Sequence, residues 1–235
     1  MIGKGKSISH GVAALEYDLA KEIDGQAAAT EIARHELYGC TGAEMVQEMK
    51  PYFTDFPNVK NNCLRFEVSP SIEESSSFTD TDWAELGNDF MQRMGLMNHQ
   101  YIIIKHSGTE SKKKQAHLHI LANRISLSGE LYRDNWIGKR ATEAANAIAK
   151  ERDFVQSQDI GKANKAEIKE AMNEVLKKLQ GFDLAKFQEE LGKLGFKVRE
   201  ARASTGKLNG YYVTARSGTE YKASEIGKGY TLAHI

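Results

Sequence analysis

The chain has 235 residues, with 32 Lys+Arg against 32 Asp+Glu, so net charge does not announce a nucleic-acid binder. Two cysteines, Cys40 and Cys63, exclude a disulfide framework and fit free thiols in a reducing compartment. No run of apolar residues is long enough for a membrane segment and no signal-peptide core is present, which predicts a soluble cytoplasmic protein. Charge is unevenly spread: 14 basic and 19 acidic residues through Gly138 give −5, and 18 and 13 from Lys139 onward give +5. The C-terminal part is the better partner for a polyanion.

A short N-terminal strand gives way to helical spacing at Ser9. Val12, Leu15, Leu19 and Ile23 form an amphipathic stripe that Asp24-Gly25 ends. Tyr17 lies about 200° around that helix from Leu15, off the stripe, with small Ala13 and Ala20 leaving room around the phenol. Thr41 to Glu44 is a capping box opening a helix toward Pro51. CLRFEVSP at 63–70 alternates Arg65 and Glu67 with Leu64, Phe66 and Val68, as a half-buried strand does.

Trp83, Leu86, Phe90 and Met94 mark a helix that Gly95 closes. Two strands follow, 101–106 and 116–125, joined by a loop carrying Lys112, Lys113 and Lys114. A Ser-Gly turn at 128–129 leads into an Ala-rich helix from about Trp136 to Arg152. This order places helices around a central, largely antiparallel sheet, an α+β fold. A polar stretch at 153–165 reads as a linker. Beyond it, Ile168, Met172, Val175 and Leu179 mark one helix, and Leu184, Phe187, Leu191 and Leu194 another. Three short strands with Gly-bearing turns complete a small basic ααβββ module. The expected domains are 1–152 and 165–235, the second packed on or near the first.

The chemistry concentrates in HSGTESKKKQAHLHILAN, from His106 to Asn123. His117 and His119, two apart on a strand, project from one face, and His106 joins them through a single hairpin loop. Three convergent imidazoles form a divalent-metal site with positions left open for a substrate oxygen. Mg²⁺ or Mn²⁺ held there polarises a phosphate oxygen and stabilises the charge of an in-line displacement. A tyrosine hydroxyl attacks a phosphodiester only when positioned and assisted, and the aryl phosphodiester formed lies close in energy to the original bond. Such a step suits cutting and rejoining rather than hydrolysis.

Other groups fit the same purpose. Lys112, Lys113 and Lys114 stand beside the site as point charges for phosphate, or form a solvated loop tip. Asn123 shares the face of His117 and His119 by alternation, free either to orient a ligand or DNA or to hydrogen-bond backbone. Lys197, Arg199 and Arg202 on one strand, with Tyr211 and Tyr212 on the next, combine charge and stacking surface for single-stranded DNA. Tyr38, Tyr52 and Tyr101 are rival nucleophiles, the first two near chain bends and the third on an apolar strand.

The tyrosine helix GVAALEYDLAKE, the strand CLRFEVSPS and the triad KH…HLHILANRI together resemble a conjugative relaxase, a mobilisation protein of the HUH endonuclease superfamily. GTEYKASEIGKGY is similar to the C-terminal part of these nuclease domains. The resemblance implies a palm-like fold and nicking of single-stranded origin-of-transfer DNA. It makes Tyr17 the nucleophile that becomes linked to the 5′ end, and His106, His117 and His119 the ligands of the metal on the scissile phosphate. Asn123 and Arg124 follow the triad and are expected at the DNA. Relaxosome accessory proteins and a secretion coupling protein are the further partners implied. Helicase, primase and secretion regions are not visible, so the chain is expected to be an isolated nuclease domain or a short family member.

Two departures from the family pattern stand out. Many members carry an acidic residue two positions after the first histidine, and Gly108 stands there. Glu67 and Glu110 are the nearest replacements, and Glu67 is favoured because a strand positions a group better than a loop. The loop between His106 and His117 is also longer than the family pattern. Two other readings stay open: a metal-dependent phosphodiester hydrolase in which water attacks, and a non-catalytic DNA-binding accessory protein.

Overall fold

A computed structural model of the chain describes residues 1–23, 26–107 and 115–235. Gly108, Glu110 and the lysines Lys112, Lys113 and Lys114 lie outside the described residues, as do Asp24 and Gly25, expected to end the first helix. The elements run β1 (Ile2–Ile8), α1 (Gly11–Leu19), β2 (Glu22–Ile23), β3 (Gln26–Ala27), β4 (Ala29–His35), α2 (Gly42–Met49), β5 (Cys63–Ser69) and α3 (Ile72–Ser75). Then come α4 (Asp80–Arg93), β6 (His99–His106), β7 (His117–Ser126), α5 (Ile137–Glu151), α6 (Ser157–Lys178) and α7 (Leu184–Lys193). The chain ends in β8 (Lys197–Arg202), β9 (Leu208–Thr214), β10 (Glu220–Lys222) and α8 (Ala223–Ile226). It divides into two compact units, Met1–Ser157 and Gln158–Ile235.

The first unit is built on a five-stranded antiparallel sheet in the order β1-β5-β7-β6-β4. This is the expected α+β arrangement. Alternation along the strands gives the sheet two distinct faces. On one, Leu64, Phe66, Val68, Ile103, Leu118 and Ile120 pack with Leu86 and Phe90 of α4 and with Ala141, Ala145 and Ile148 of α5. On the other, Ile8, Cys63, Ile102, Ile104 and Leu121 pack under Ala14 and Leu15 of α1 and Met45, Val46 and Met49 of α2. The Thr41–Glu44 capping box forms as expected and fixes the start of α2.

The second unit has its own core. Ile168, Met172 and Val175 of α6 meet Phe187 and Leu191 of α7 over Tyr211 and Val213 of the sheet β10-β9-β8.

Two expectations fail locally, and one strand escapes the sequence pattern. Helix α1 ends at Leu19, so the stripe through Val12, Leu15, Leu19 and Ile23 is not the buried one; Val12 is exposed and Ile23 lies in β2. The buried positions are Gly11, Ala14, Leu15 and Asp18. Residues 157–165 are helical rather than a linker, because α6 turns a polar residue inward: Asn164 donates to Ser217 Oγ at 3.0 Å and Tyr221 Oη at 3.1 Å. Strand β4 carries no clean alternation because it is an edge strand with a register shift between Glu31 and Ala33.

Helix α5 lies directly on β1 because β1 has no side chain in its way. A Cβ at Gly3 would fall 2.4 Å from the Ala141 carbonyl oxygen and 2.5 Å from Ala145 Cβ. Gly3→Ala must therefore push α5 outward. It is expected to lower the stability of this unit by about 1–3 kcal/mol, read as a lower urea midpoint at unchanged slope.

Candidate active site

Antiparallel pairing of β6 with β7 sets His106 directly opposite His117, and His119 follows on the same face two residues on. The ring centroids of His106 and His119 are 4.3 Å apart, those of His117 and His119 4.8 Å, and those of His106 and His117 5.4 Å. One nitrogen from each ring lies within 4.8 Å of the other two. The longer loop does not keep His106 away.

The donor set fits a metal ion. His117 Nε2 and His119 Nε2 are 3.0 Å apart. A metal–nitrogen bond of about 2.1 Å, at angles of about 90–109°, spaces neighbouring nitrogens about 3.0–3.4 Å apart. Carbonyl oxygens fix two of the tautomers. His106 Nε2–H donates to the Asp18 carbonyl at 2.7 Å, and His117 Nδ1–H donates to the Gln115 carbonyl at 3.2 Å. The opposite nitrogen of each ring is left as a lone pair. Metal-bound histidines make this same kind of outer hydrogen bond.

Burial keeps His106 and His119 neutral. It pushes His106 down to about 4, with the neighbouring His117, Lys21 and Arg65 adding to the effect. It pushes His119 down to about 2, helped by the other two imidazoles. Neutral imidazole is the form that binds a cation.

Reading the sequence missed the residue that braces this cage. Asp18 on α1 is buried, 1% exposed, with its carboxylate 2.5 Å from Arg65 Nη2 and 3.6 Å from His119 Nδ1. Burial raises its carboxyl to about 6 even though Arg65 pulls the other way. Because His119 is held neutral, the 3.6 Å approach is not an ion pair; it is a carboxylate facing a ring nitrogen slightly beyond hydrogen-bond reach. The sequence did carry a signal. Asp18 falls three residues after Leu15 and four after Ala14, so a charge stands on the buried stripe of the helix and needs a partner.

Tyr17, next in the chain, is 59% exposed and carries the Lys21 ammonium 5.7 Å from its ring centroid. The rivals are placed differently. Tyr101 is buried. Tyr38 follows the end of β4 where His35 pairs with Tyr101, whereas Ala29 at the other end pairs with His106. Six residues of strand put Tyr38 about 20 Å from the histidine end.

The same sheet face continues past His119 toward the β1 edge. Register aligns Lys4, Glu67 and His119 in one row and Lys6, Arg65 and Leu121 in the next. Lys4, Lys6, Arg65, Glu67 and His119 line an open cleft there. Glu67 stands opposite His119, with Lys4 Nζ 3.3 Å from its carboxylate. Lys4 and Lys6 went unnoticed because the strand MIGKGKSI shows its lysines without showing which face holds them.

Asn123 and Arg124 do not join this surface. Asn123 is fully buried; its amide donates to Gln100 Oε1 at 2.9 Å and accepts from the Ile125 N–H at 2.9 Å, so it is a core hydrogen-bonding residue rather than a DNA contact. Arg124 clamps the following turn, bonding Asp134 Oδ1 at 2.7 Å and the Tyr132 and Asn61 carbonyls at 3.1 Å each. In the second unit, Arg199 is held bidentately by Glu220 and stacks 4.2 Å from the Tyr212 centroid. Arg202 pairs with Glu200 at 2.6 Å, Lys197 is exposed, and Tyr211 is buried. Much of that strand's positive charge is compensated at home.

The pH dependence of the first unit follows from these shifts. The unfolded chain protonates its histidines below the ordinary 6.5, whereas folded His106 resists down to about 4. Stability therefore falls as pH drops from 6.5 toward 4. Asp18 opposes this: it takes its proton near 6 when folded but only near 3.8 when unfolded, so its contribution grows as pH falls through that window. His106→Asn is expected to flatten the acid-side fall, measured as urea midpoints at stepped pH without added metal.

Residues 17–154, more than half of the chain, match the family model described as relaxase, MobA/VirD2-like, nuclease domain. Among solved structures, the chain is similar to one described as the conjugative relaxase TrwC in complex with oriT DNA, in a metal-bound form. That likeness has 11% identity over 88% of this chain and 74% of the other, with a TM-score of 0.37. No curated protein matches. The matched span begins at Tyr17 and takes in all three histidines, and the chain belongs to the MobA/VirD2-like relaxase nuclease-domain family.

Proposed function

We propose that this protein nicks and rejoins one DNA strand at an origin of transfer, with Tyr17 as nucleophile. The observation that carries the reading is the convergence of three imidazoles beside a helix whose exposed tyrosine adjoins a residue touching that cage. Tyr17 Oη attacks the scissile phosphorus, the bond to the 3′ oxygen breaks, and the phenolic proton ends on that oxygen. The DNA 5′ end is left on Tyr17 as a phosphodiester, which the 3′ hydroxyl can attack to reseal the strand. A divalent ion held by His106, His117 and His119 supplies charge stabilisation at the phosphate. Three imidazoles suit Mn²⁺ better than Mg²⁺, whose preference is for oxygen. Lys21, close to both Tyr17 and His106, adds positive charge where the phosphate must sit.

The cleft bearing Lys4, Lys6 and Arg65 is the path we assign to the single strand approaching this centre. Arg65 is engaged with buried Asp18, whereas Lys4 makes only a solvent-exposed pair with Glu67, so Lys4 and Lys6 are the charges that can turn to phosphate. Transfer accessory proteins and a coupling protein are the further partners of this reading, in the cytoplasm. Among the described residues no helix is long and apolar enough to cross a membrane.

Tyr17→Phe keeps the ring and removes only the attacking oxygen. Nicking of a supercoiled plasmid carrying the cognate origin is expected to fall at least about 10⁴-fold, with metal and DNA affinity retained. Wild-type product should run as a protein–DNA adduct on a denaturing gel, with the modified peptide containing Tyr17. Nicking without an adduct would indicate hydrolysis by water, and DNA binding without cleavage an accessory protein.

Replacing Lys4 and Lys6 together by Gln is expected to weaken single-strand binding at low salt. The slope of log affinity against log salt should shrink by about 1.4 for two lost phosphate contacts. Fluorescence anisotropy with a labelled oligonucleotide at several salt concentrations measures both.

A further inference from the structure

Asp18 touches two of the three histidines through two different atoms. Its main-chain carbonyl accepts from His106 Nε2 at 2.7 Å, and its carboxylate faces His119 Nδ1 at 3.6 Å. Arg65 holds the carboxylate at 2.5 Å and also places Nη2 3.4 Å from His119 Nδ1.

These contacts define two proton arrangements of His119. A guanidinium can only donate, so when Arg65 approaches Nδ1 the ring proton sits on Nε2. From there it reaches His117 Nε2 at 3.0 Å, which is a lone pair because His117 Nδ1–H is committed to the Gln115 carbonyl. Every donor then has an acceptor without a metal. An ion bound at His119 Nε2 requires the other arrangement, with the proton on Nδ1 and an acceptor to receive it. Asp18 is the acidic acceptor already facing that nitrogen, and a shift of about half an ångström closes the hydrogen bond.

We propose that Asp18 is the positioning residue for the metal cage: it holds His106 by its carbonyl and selects the metal-binding tautomer of His119 by its carboxylate. This rests on the reading of the triad as a metal site. The carboxylate that the family pattern places after the first histidine, where this chain has Gly108, is supplied from the helix that carries Tyr17. Metal loading and placement of Tyr17 are thereby tied through adjacent residues of one helix.

The test uses the full chain without DNA. Long-range ¹H–¹⁵N correlations of ¹⁵N-histidine protein report which ring nitrogen carries the proton, with and without Zn²⁺ as a diamagnetic probe. In the wild type, Zn²⁺ should move the His119 proton from Nε2 to Nδ1 while leaving the His106 proton on Nε2. Ligation of Zn²⁺ through His119 Nδ1 would overturn the proposal in the wild type alone, with no variant needed. By calorimetry, Asp18→Asn should bind Mn²⁺ about 10–100-fold more weakly, with the circular dichroism of the metal-free protein unchanged. Unchanged affinity would also overturn it. Absence of Mn²⁺ binding by the wild type would instead remove the metal-site reading itself, so the two failures are distinguishable.

Discussion

The buried contact between Asp18 and Arg65 is the constraint on which the arrangement of the site depends. It joins the first helix to the centre of the sheet at a place where neither charge has full access to water. Burial raises the Asp18 carboxyl despite the adjacent guanidinium, so desolvation outweighs the attraction. Such a pair adds little net stability, yet losing one partner leaves a buried charge uncompensated. Its value is positional: the helix can dock in only one rotation. That rotation turns Asp18 into the sheet and Tyr17, one residue and about 100° earlier, out to solvent.

The sheet makes this economical because its two faces have separate duties. One face is apolar from β1 to β6 and packs under α4 and α5. The other is covered by α1 and α2 over part of its area, and it changes from Ile102, Ile104 and Leu121 to histidine, arginine and lysine where the cover ends. Imidazoles on paired central strands have little freedom, since a slip of one residue would send them into the α4–α5 core.

Much of this was legible in the sequence. Alternation gives β5, the apolar run YIIIKH gives β6, and the spacing H-L-H on β7 gives the shared face of His117 and His119. Pairing with β6 then brought His106 in, whatever the loop length, because strand register and not loop geometry sets that contact. Less legible were features whose meaning depends on a partner far away in sequence. Asp18 looks like an ordinary surface acid until Arg65, on a strand 47 residues later, makes it tolerable inside. For Asn123, alternation gives the face but not which of its two open uses holds; burial decides for the hydrogen bond to backbone, at the Ile125 N–H. The lysines of β1 became informative only once the strand order placed them beside β5.

Strand β1 closes one side of the sheet, and among the described residues no further strand pairs with its outer edge. Such an edge offers unpaired N–H and C=O groups to any extended segment that drifts by, including the β1 of a second copy. Lysines on an edge strand are a common guard against that association, because two like edges repel before they can pair. Lys4 and Lys6 therefore stand between solubility and self-assembly as well as between the protein and its polyanion. A chain that lost both charges would be expected to gain a concentration-dependent tendency to pair edge to edge. Binding DNA, by neutralising them, would transiently lift the same guard.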